Sequence, residues 1–361
     1  MKDALLSPIL GLSSDFRRLD AWAPPGPNNA DAFATCTVLT ELLRYTPEFG
    51  RSLLPARRHA VTKINQAVRA RGFFVPPSRT TREHRMHSRV GTTVERAALH
   101  LLGQDIVTTP LTFLRNLSQP RNQVFRFYSQ GRVTRGDLAS LAAILTIHAA
   151  TETLGELHPD PATIGWLLVL AGLQPTIKSC IPLSEWDFLD LPRGPVTKRK
   201  ADAWLRSRIP NDLASELGQL LDSIAHALPR GRVTPSPSFG GWGRIGDAQG
   251  DLLVDHCLIE LKCTITGVRS AYLTQLLCYA AIDALNDRTT SPRFSIQELA
   301  VVLPRQRCRI SGPVDDWLAA FGAPPFAVFL NGFARFWNSF GHGTHTGLYP
   351  PLPWASAARG A

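Results

Sequence analysis

The apolar positions of this chain follow two periods, and the change from one to the other divides it. Over His59 to Arg71, Leu138 to Leu154, Pro161 to Leu173, Asn211 to Leu228 and Val268 to Asn286, apolar residues recur at three- and four-residue spacing, which predicts helices. Ala32 to Leu43 and Val314 to Phe321 read the same way. Leu252 to Val254, Leu258 to Leu261 and Leu299 to Leu303 are short apolar runs of strand length. Arg232 to Phe239 is broken by Pro235 and Pro237, so it can only be an edge-type strand. Helices therefore dominate the middle of the chain and strands its last third. There is no internal repeat.

The two runs around Asp255-His256 have the layout of a tight β-hairpin. Successive strand residues point to opposite faces, so Glu260 and Lys262 project together, away from Ile259 and Leu261. Two-over-two pairing about Asp255-His256 brings Asp251 across from the Glu260 end. Two carboxylates and an ammonium thus converge at one end of the hairpin. Close carboxylates repel, and a partly buried pair is best tolerated around a divalent cation, with hard oxygen ligands suiting magnesium or manganese. A nearby Lys can stabilise the charge of a phosphorane-like transition state or position the attacking water. The alternative for a Glu-x-Lys by itself is an ordinary solvent-facing strand edge.

The residues beyond Lys262 change that balance. Gln275 and Tyr279 stand one turn apart on the predicted helix after the hairpin. Asp251, Glu260-Leu261-Lys262 and Gln275-Leu-Leu-Cys-Tyr279 together resemble the signature of the PD-(D/E)XK nuclease superfamily, in particular its RecB-like branch, over about residues 240–305. The Pro that the family carries before the motif Asp is Gly250 here. The resemblance implies a restriction-endonuclease-like α/β fold, a mixed central sheet flanked by helices, with a large helical insertion. It implies that Asp251, Glu260 and the Leu261 carbonyl hold Mg2+ or Mn2+, that Lys262 acts on the water or the transition state, and that Gln275 and Tyr279 orient Lys262 or contact the scissile strand.

The family also carries an earlier helix acid, which in the RecB-like branch follows a Gly by four positions. Gly91-Thr-Thr-Val-Glu95 has that spacing, with Thr92 or Thr93 available as a helix cap. Glu95 is the first candidate to complete the metal shell. Its competitor is Glu216, on the helix that immediately precedes the core strands. The implied organisation is a basic helical arm (1–84), a first core helix (85–110), a helical insertion (111–208), the nuclease-like core (209–322) and a C-terminal tail (323–361).

Composition is consistent with a polyanionic partner. Among 361 residues, 39 Lys and Arg stand against 29 Asp and Glu, a net charge of +10. Ten Lys and Arg from Arg51 to Arg89 face a single acid, Glu83, and surround Phe73-Phe74. That suits phosphate contacts and base stacking, and equally a solvated helix face with both rings in the core. Lys198-Arg-Lys200 with Arg206 and Arg208 forms a second basic cluster. The six cysteines are scattered without a Cys-x-x-Cys pair, which speaks against structural zinc or an iron–sulfur cluster. His148 reads as a core histidine, and the pair His342 and His345 has no visible third ligand. The glycines before Asp251 include no phosphate-loop Gly-Lys-Ser or Gly-Lys-Thr. Neither a targeting segment nor a spanning segment is visible, so a cytoplasmic protein that acts on DNA and not on membranes is expected. The rivals are a protein that keeps such a fold to bind nucleic acid without cutting it, and a helical adaptor. The intact Asp, Glu and Lys set argues against both.

Overall fold

Helix-period residues fold into helices on both sides of the strands. The computed structural model describes residues 49, 52–122, 125–157, 159–179, 182–240, 248–286 and 294–339. The predicted helix Ala32 to Leu43, Cys36, Cys180, His342 and His345 lie outside the described residues. The helices are α1 (Arg57–Ala70), α2 (Arg79–Glu83), α3 (His87–Leu101), α4 (Thr108–Ser118), α5 (Phe125–Ser129), α6 (Arg135–Ala149), α7 (Pro161–Ser179), α8 (Lys198–Ser207), α9 (Asn211–Ala227), α10 (Ser270–Leu285), α11 (Val314–Ala320) and α12 (Phe326–Ser339).

Five strands form one open mixed sheet: β1 (Val233–Pro235), β2 (Leu252–Val254), β3 (Cys257–Leu261), β4 (Glu298–Leu303) and β5 (Cys308–Pro313), side by side in chain order. Neighbours are antiparallel except β3 and β4, which are parallel. A parallel pair cannot be joined by a hairpin, and α10 makes the required crossover. Pro235 sits on the edge strand, where no ladder hydrogen bond is asked of it.

Side-chain alternation splits the core in two. Leu252, Val254, Cys257, Ile259 and Leu261 join Ala300 and Val302 in packing against α3, α4, α6, α7, α8 and α9. Leu253 and Leu258 join Leu299, Val301 and Ile310 in packing against α1, α10, α11 and α12. With both faces covered, β2 and β3 are buried at every position and apolar at all but one, Glu260. α7 is the centre of the helical insertion, with Trp166 through Leu170 wholly buried. Among the described residues no helix is long and apolar enough to cross a membrane.

Besides α7, which runs on from Leu173 to Ser179, the structure departs from the pattern-based reading in four places. Gly91, Thr92 and Thr93 lie inside α3, which starts at His87. Thr93 therefore caps nothing, and its hydroxyl donates to the Arg89 carbonyl at 2.8 Å. α6 ends at Ala149, short of Leu154, as Gly155 turns the chain to bond the His100 carbonyl. Residues 326–339 of the tail form a helix that no periodicity had marked, α12, with Phe329, Phe333 and Trp337 buried beside Phe49. Finally, Cys308–Pro313 is a strand. Its apolar residues alternate with Arg309 and Ser311 and run into Gly312 and Pro313, too weak a pattern to stand out from a charged loop.

Candidate active site

The hairpin register decides the geometry. Val254 pairs with Cys257, Leu253 with Leu258 and Leu252 with Ile259, so the next position in each strand sets Asp251 opposite Glu260. Asp255 makes the turn with φ 52°, a left-handed conformation that Asp tolerates through local hydrogen bonding; its carboxylate accepts from the Arg232 amide at 3.0 Å. Asp251, Glu260 and Lys262 accordingly share the sheet face turned toward α10.

Lys262 Nζ lies 2.5 Å from Glu260 Oε1 and 3.4 Å from Asp251 Oδ2. Asp251 Oδ2 also accepts from the Leu261 amide at 3.0 Å. The visible contribution of Leu261 is thus its N–H, which orients Asp251. Glu260 is 1% exposed, against 26% for Asp251 and 27% for Lys262. Apart from the ion pair with Lys262, neither Glu260 oxygen has a hydrogen-bond partner. Burial pushes the Glu260 carboxyl up to about 7; Asp251 and Glu95 add to the shift, and Lys262 opposes it. Lys262 is the reverse case. Burial alone would lower its proton affinity, but Asp251 and Glu260 more than reverse this and push it up, so the amine is held as a cation.

Glu95 approaches from α3, on the opposite layer, at the carboxyl end of β3. A side chain on Gly91, one turn before it, would touch Cys263, the residue after Lys262. Its field is felt at both Glu260 and Cys263. Glu216 is committed elsewhere. It pairs with Arg305, accepts from the Ser78 amide at 2.8 Å, and accepts from the Thr81 hydroxyl at 2.5 Å. The structure thus brings Asp251, Glu260 and Lys262 together with Glu95 in electrostatic reach, and builds Glu216 into a separate buried network.

Gln275 donates to the Tyr279 hydroxyl, and the Tyr279 ring stacks on Phe239 at 5.2 Å. Sequence reasoning missed a residue of this helix that faces the lysine. Tyr272 presents its ring 5.6 Å from Lys262 Nζ, within cation–π range. The signal was there in its spacing, because Tyr272 precedes Gln275 by three residues and Tyr279 by seven on one helix face.

The donor set suits a hard divalent cation, since two carboxylates face each other and Glu260 lacks hydrogen-bond partners. Lys262 Nζ now stands between them, and among the described residues no three His, Cys, Asp or Glu side chains are gathered closely enough to hold an ion. The glycine before Asp251 has a packing reason. A Cβ on Gly250 would lie 3.0 Å from Leu258 Cδ1 and 3.3 Å from Phe239 Cε2, and the Gly250 amide donates to the Pro237 carbonyl at 2.9 Å. Gly250→Ala should cost about 1–3 kcal/mol through overpacking, and Gly250→Pro more, because the hydrogen bond is lost too. Urea unfolding of both variants checks the order.

Fold and site together define an α/β protein with an open mixed sheet whose central hairpin presents an acid–acid–lysine cluster to a flanking helix. No family model, no curated protein and no solved structure matches the chain.

Proposed function

We propose that this protein is a metal-dependent nuclease of the PD-(D/E)XK type, RecB-like, which hydrolyses phosphodiester bonds of DNA in recombination, repair or defence against phage. One observation carries the reading: a nearly inaccessible carboxylate, Glu260, stands opposite Asp251 at the end of the hairpin, with Lys262 as the counter-charge the two acids share. A cluster of that kind costs stability, and such costs concentrate where chemistry needs them. The net charge of +10 suits the partner, and the four described cysteines are all free thiols, as a reducing cytoplasm would keep them.

Asp251 and Glu260 would hold magnesium or manganese, with the Leu261 carbonyl and Glu95 completing the shell; the ion would polarise the scissile phosphate and neutralise charge that develops on it. The Leu261 amide fixes which Asp251 oxygen faces the site. Lys262 is suited to stabilising negative charge on the phosphate or to positioning the attacking water. Tyr272 limits the swing of the amine, and the Gln275–Tyr279 pair stiffens the helix face beside it.

The test is an assay on circular and linear DNA with magnesium, with manganese and with chelator. Metal-dependent cleavage is expected, and cutting of the circle would make the enzyme an endonuclease. The bridging position of Lys262 favours a second reading, a nucleic-acid-binding protein whose acids are neutralised by lysine and hold no metal. Tight, salt-sensitive DNA binding with no cleavage in either metal would establish that reading and overturn the first.

A further inference from the structure

A cavity of about 320 Å³ opens beside the loop that leaves Lys262. One wall is α1 and the segment after it, with Asn65, Arg69, Phe73 and Phe74; the other is Ile265 to Gly267. Ile265 follows Lys262 by three positions, so even fully extended chain puts the cavity wall within about 10 Å of the lysine backbone.

This wall is rigid. Asn65 clamps both polar groups of the Val268 backbone, donating to its carbonyl at 2.9 Å and accepting from its amide at 2.9 Å. Gly267, at φ 79°, leaves the space that Asn65 enters, since a Cβ there would lie 2.4 Å from Asn65 Oδ1. Gln306 donates to the Thr264 carbonyl and Arg305 to the Cys263 carbonyl, each at 3.0 Å.

The two aromatic rings are not equivalent. The Phe73 face is taken by the Arg307 guanidinium, 4.4 Å from its centroid. Phe74 is 46% exposed and Ile265 52% exposed, so two apolar groups look into solvent across a cleft that contains Arg69 and, among the described residues, no acid. A flat aromatic face opposite an aliphatic side chain, beside one cation, suits a nucleobase followed by its phosphate. A duplex keeps its base faces stacked and cannot use such a cleft.

We propose that the Phe74–Ile265 cleft is a stacking subsite for an unpaired base of single-stranded DNA, with Arg69 on the adjoining phosphate. The inference rests on the nuclease reading of the neighbouring site and assigns its substrate as a strand with at least one unstacked base.

The experiment measures binding of a labelled single-stranded oligonucleotide, and of a duplex containing it, to the full chain in chelator, alongside cleavage in magnesium. Phe74→Ala should weaken single-strand binding about tenfold and leave duplex binding within about twofold, as the loss of one stacked base predicts. Phe74→Tyr should retain binding, and Ile265→Ser, on the opposite wall, should repeat the selective loss. Unchanged single-strand binding in Phe74→Ala, or equal loss on both ligands, would overturn the subsite. The two readings fail separately. A wild-type chain that cleaves while Phe74→Ala binds normally refutes only the cleft, whereas selective loss of binding without any cleavage refutes only the nuclease.

Discussion

Lys262→Ala is expected to cleave DNA at least about a hundredfold more slowly than the wild type while still binding DNA and magnesium, a loss typical of removing one preorganised charge from a transition state. The structure makes the separation sharp. Nζ lies 2.5 Å from Glu260 and 3.4 Å from Asp251, so the amine competes for the same carboxylates a cation would use. Removing it should leave magnesium binding at least as strong, seen as an equal or larger rise in melting temperature with added magnesium. Asp251→Asn, by contrast, should lose both cleavage and the magnesium-dependent rise. Equal cleavage by Lys262→Ala and the wild type would place the activity elsewhere or in a contaminant.

Glu216→Gln is expected to destabilise the protein by about 3–5 kcal/mol without removing the chemistry of the site, the usual cost of breaking a buried ion pair from one side. Glu216 and Arg305 have side chains only 1% and 0% exposed. Arg305 also holds the Cys263 and Val75 carbonyls, each at 3.0 Å, so the pair ties α2, α9 and the end of β3 to the turn after β4. The pH dependence has a definite sign. Burial would raise the Glu216 carboxyl, but Thr81, Ser78 and Arg305 outweigh it and hold it below its ordinary 4.5. Its stabilisation is therefore complete above about pH 4.5 and lost as pH falls through the depressed value, so the wild type should lose stability more steeply than Glu216→Gln on acidification. Urea unfolding from pH 6 down to pH 3 measures both effects. Glu95→Gln should show the opposite pattern, with cleavage falling by orders of magnitude and little change in stability. If Glu216→Gln abolished cleavage at full stability, the role of helix acid would pass to it.

Much of the fold was legible in the chain because it depends on short-range periodicity. The period of 3.6 marked α1, α7, α9 and α10 to within a few residues, apart from the end of α7. The period of two, interrupted at Asp255-His256, marked the β2–β3 hairpin and with it the shared face of Asp251, Glu260 and Lys262. The spacing of Gln275 and Tyr279 placed them on one helix face, and the structure pairs them.

Other features depend on partners far away in the chain. Arg305 reads as surface charge in Pro304-Arg-Gln-Arg, yet it is wholly buried, because Glu216, 89 residues earlier, neutralises it. β5 has a weak pattern of its own and exists because β4 offers it a ladder from Glu298 to Leu303. Tyr272 became part of the site only when the crossover returned α10 over β3, and Phe74 was separated from Phe73 only when Arg307 covered one ring and left the other exposed. The sequence by itself determined the longer periodic helices, the hairpin register and the acid–acid–lysine set, since those derive from alternation and local turn chemistry. Tertiary structure alone decided that Glu216 pairs with the buried Arg305 and stands outside that set, because burial and long-range charge pairing are properties of the packed chain and of no local segment.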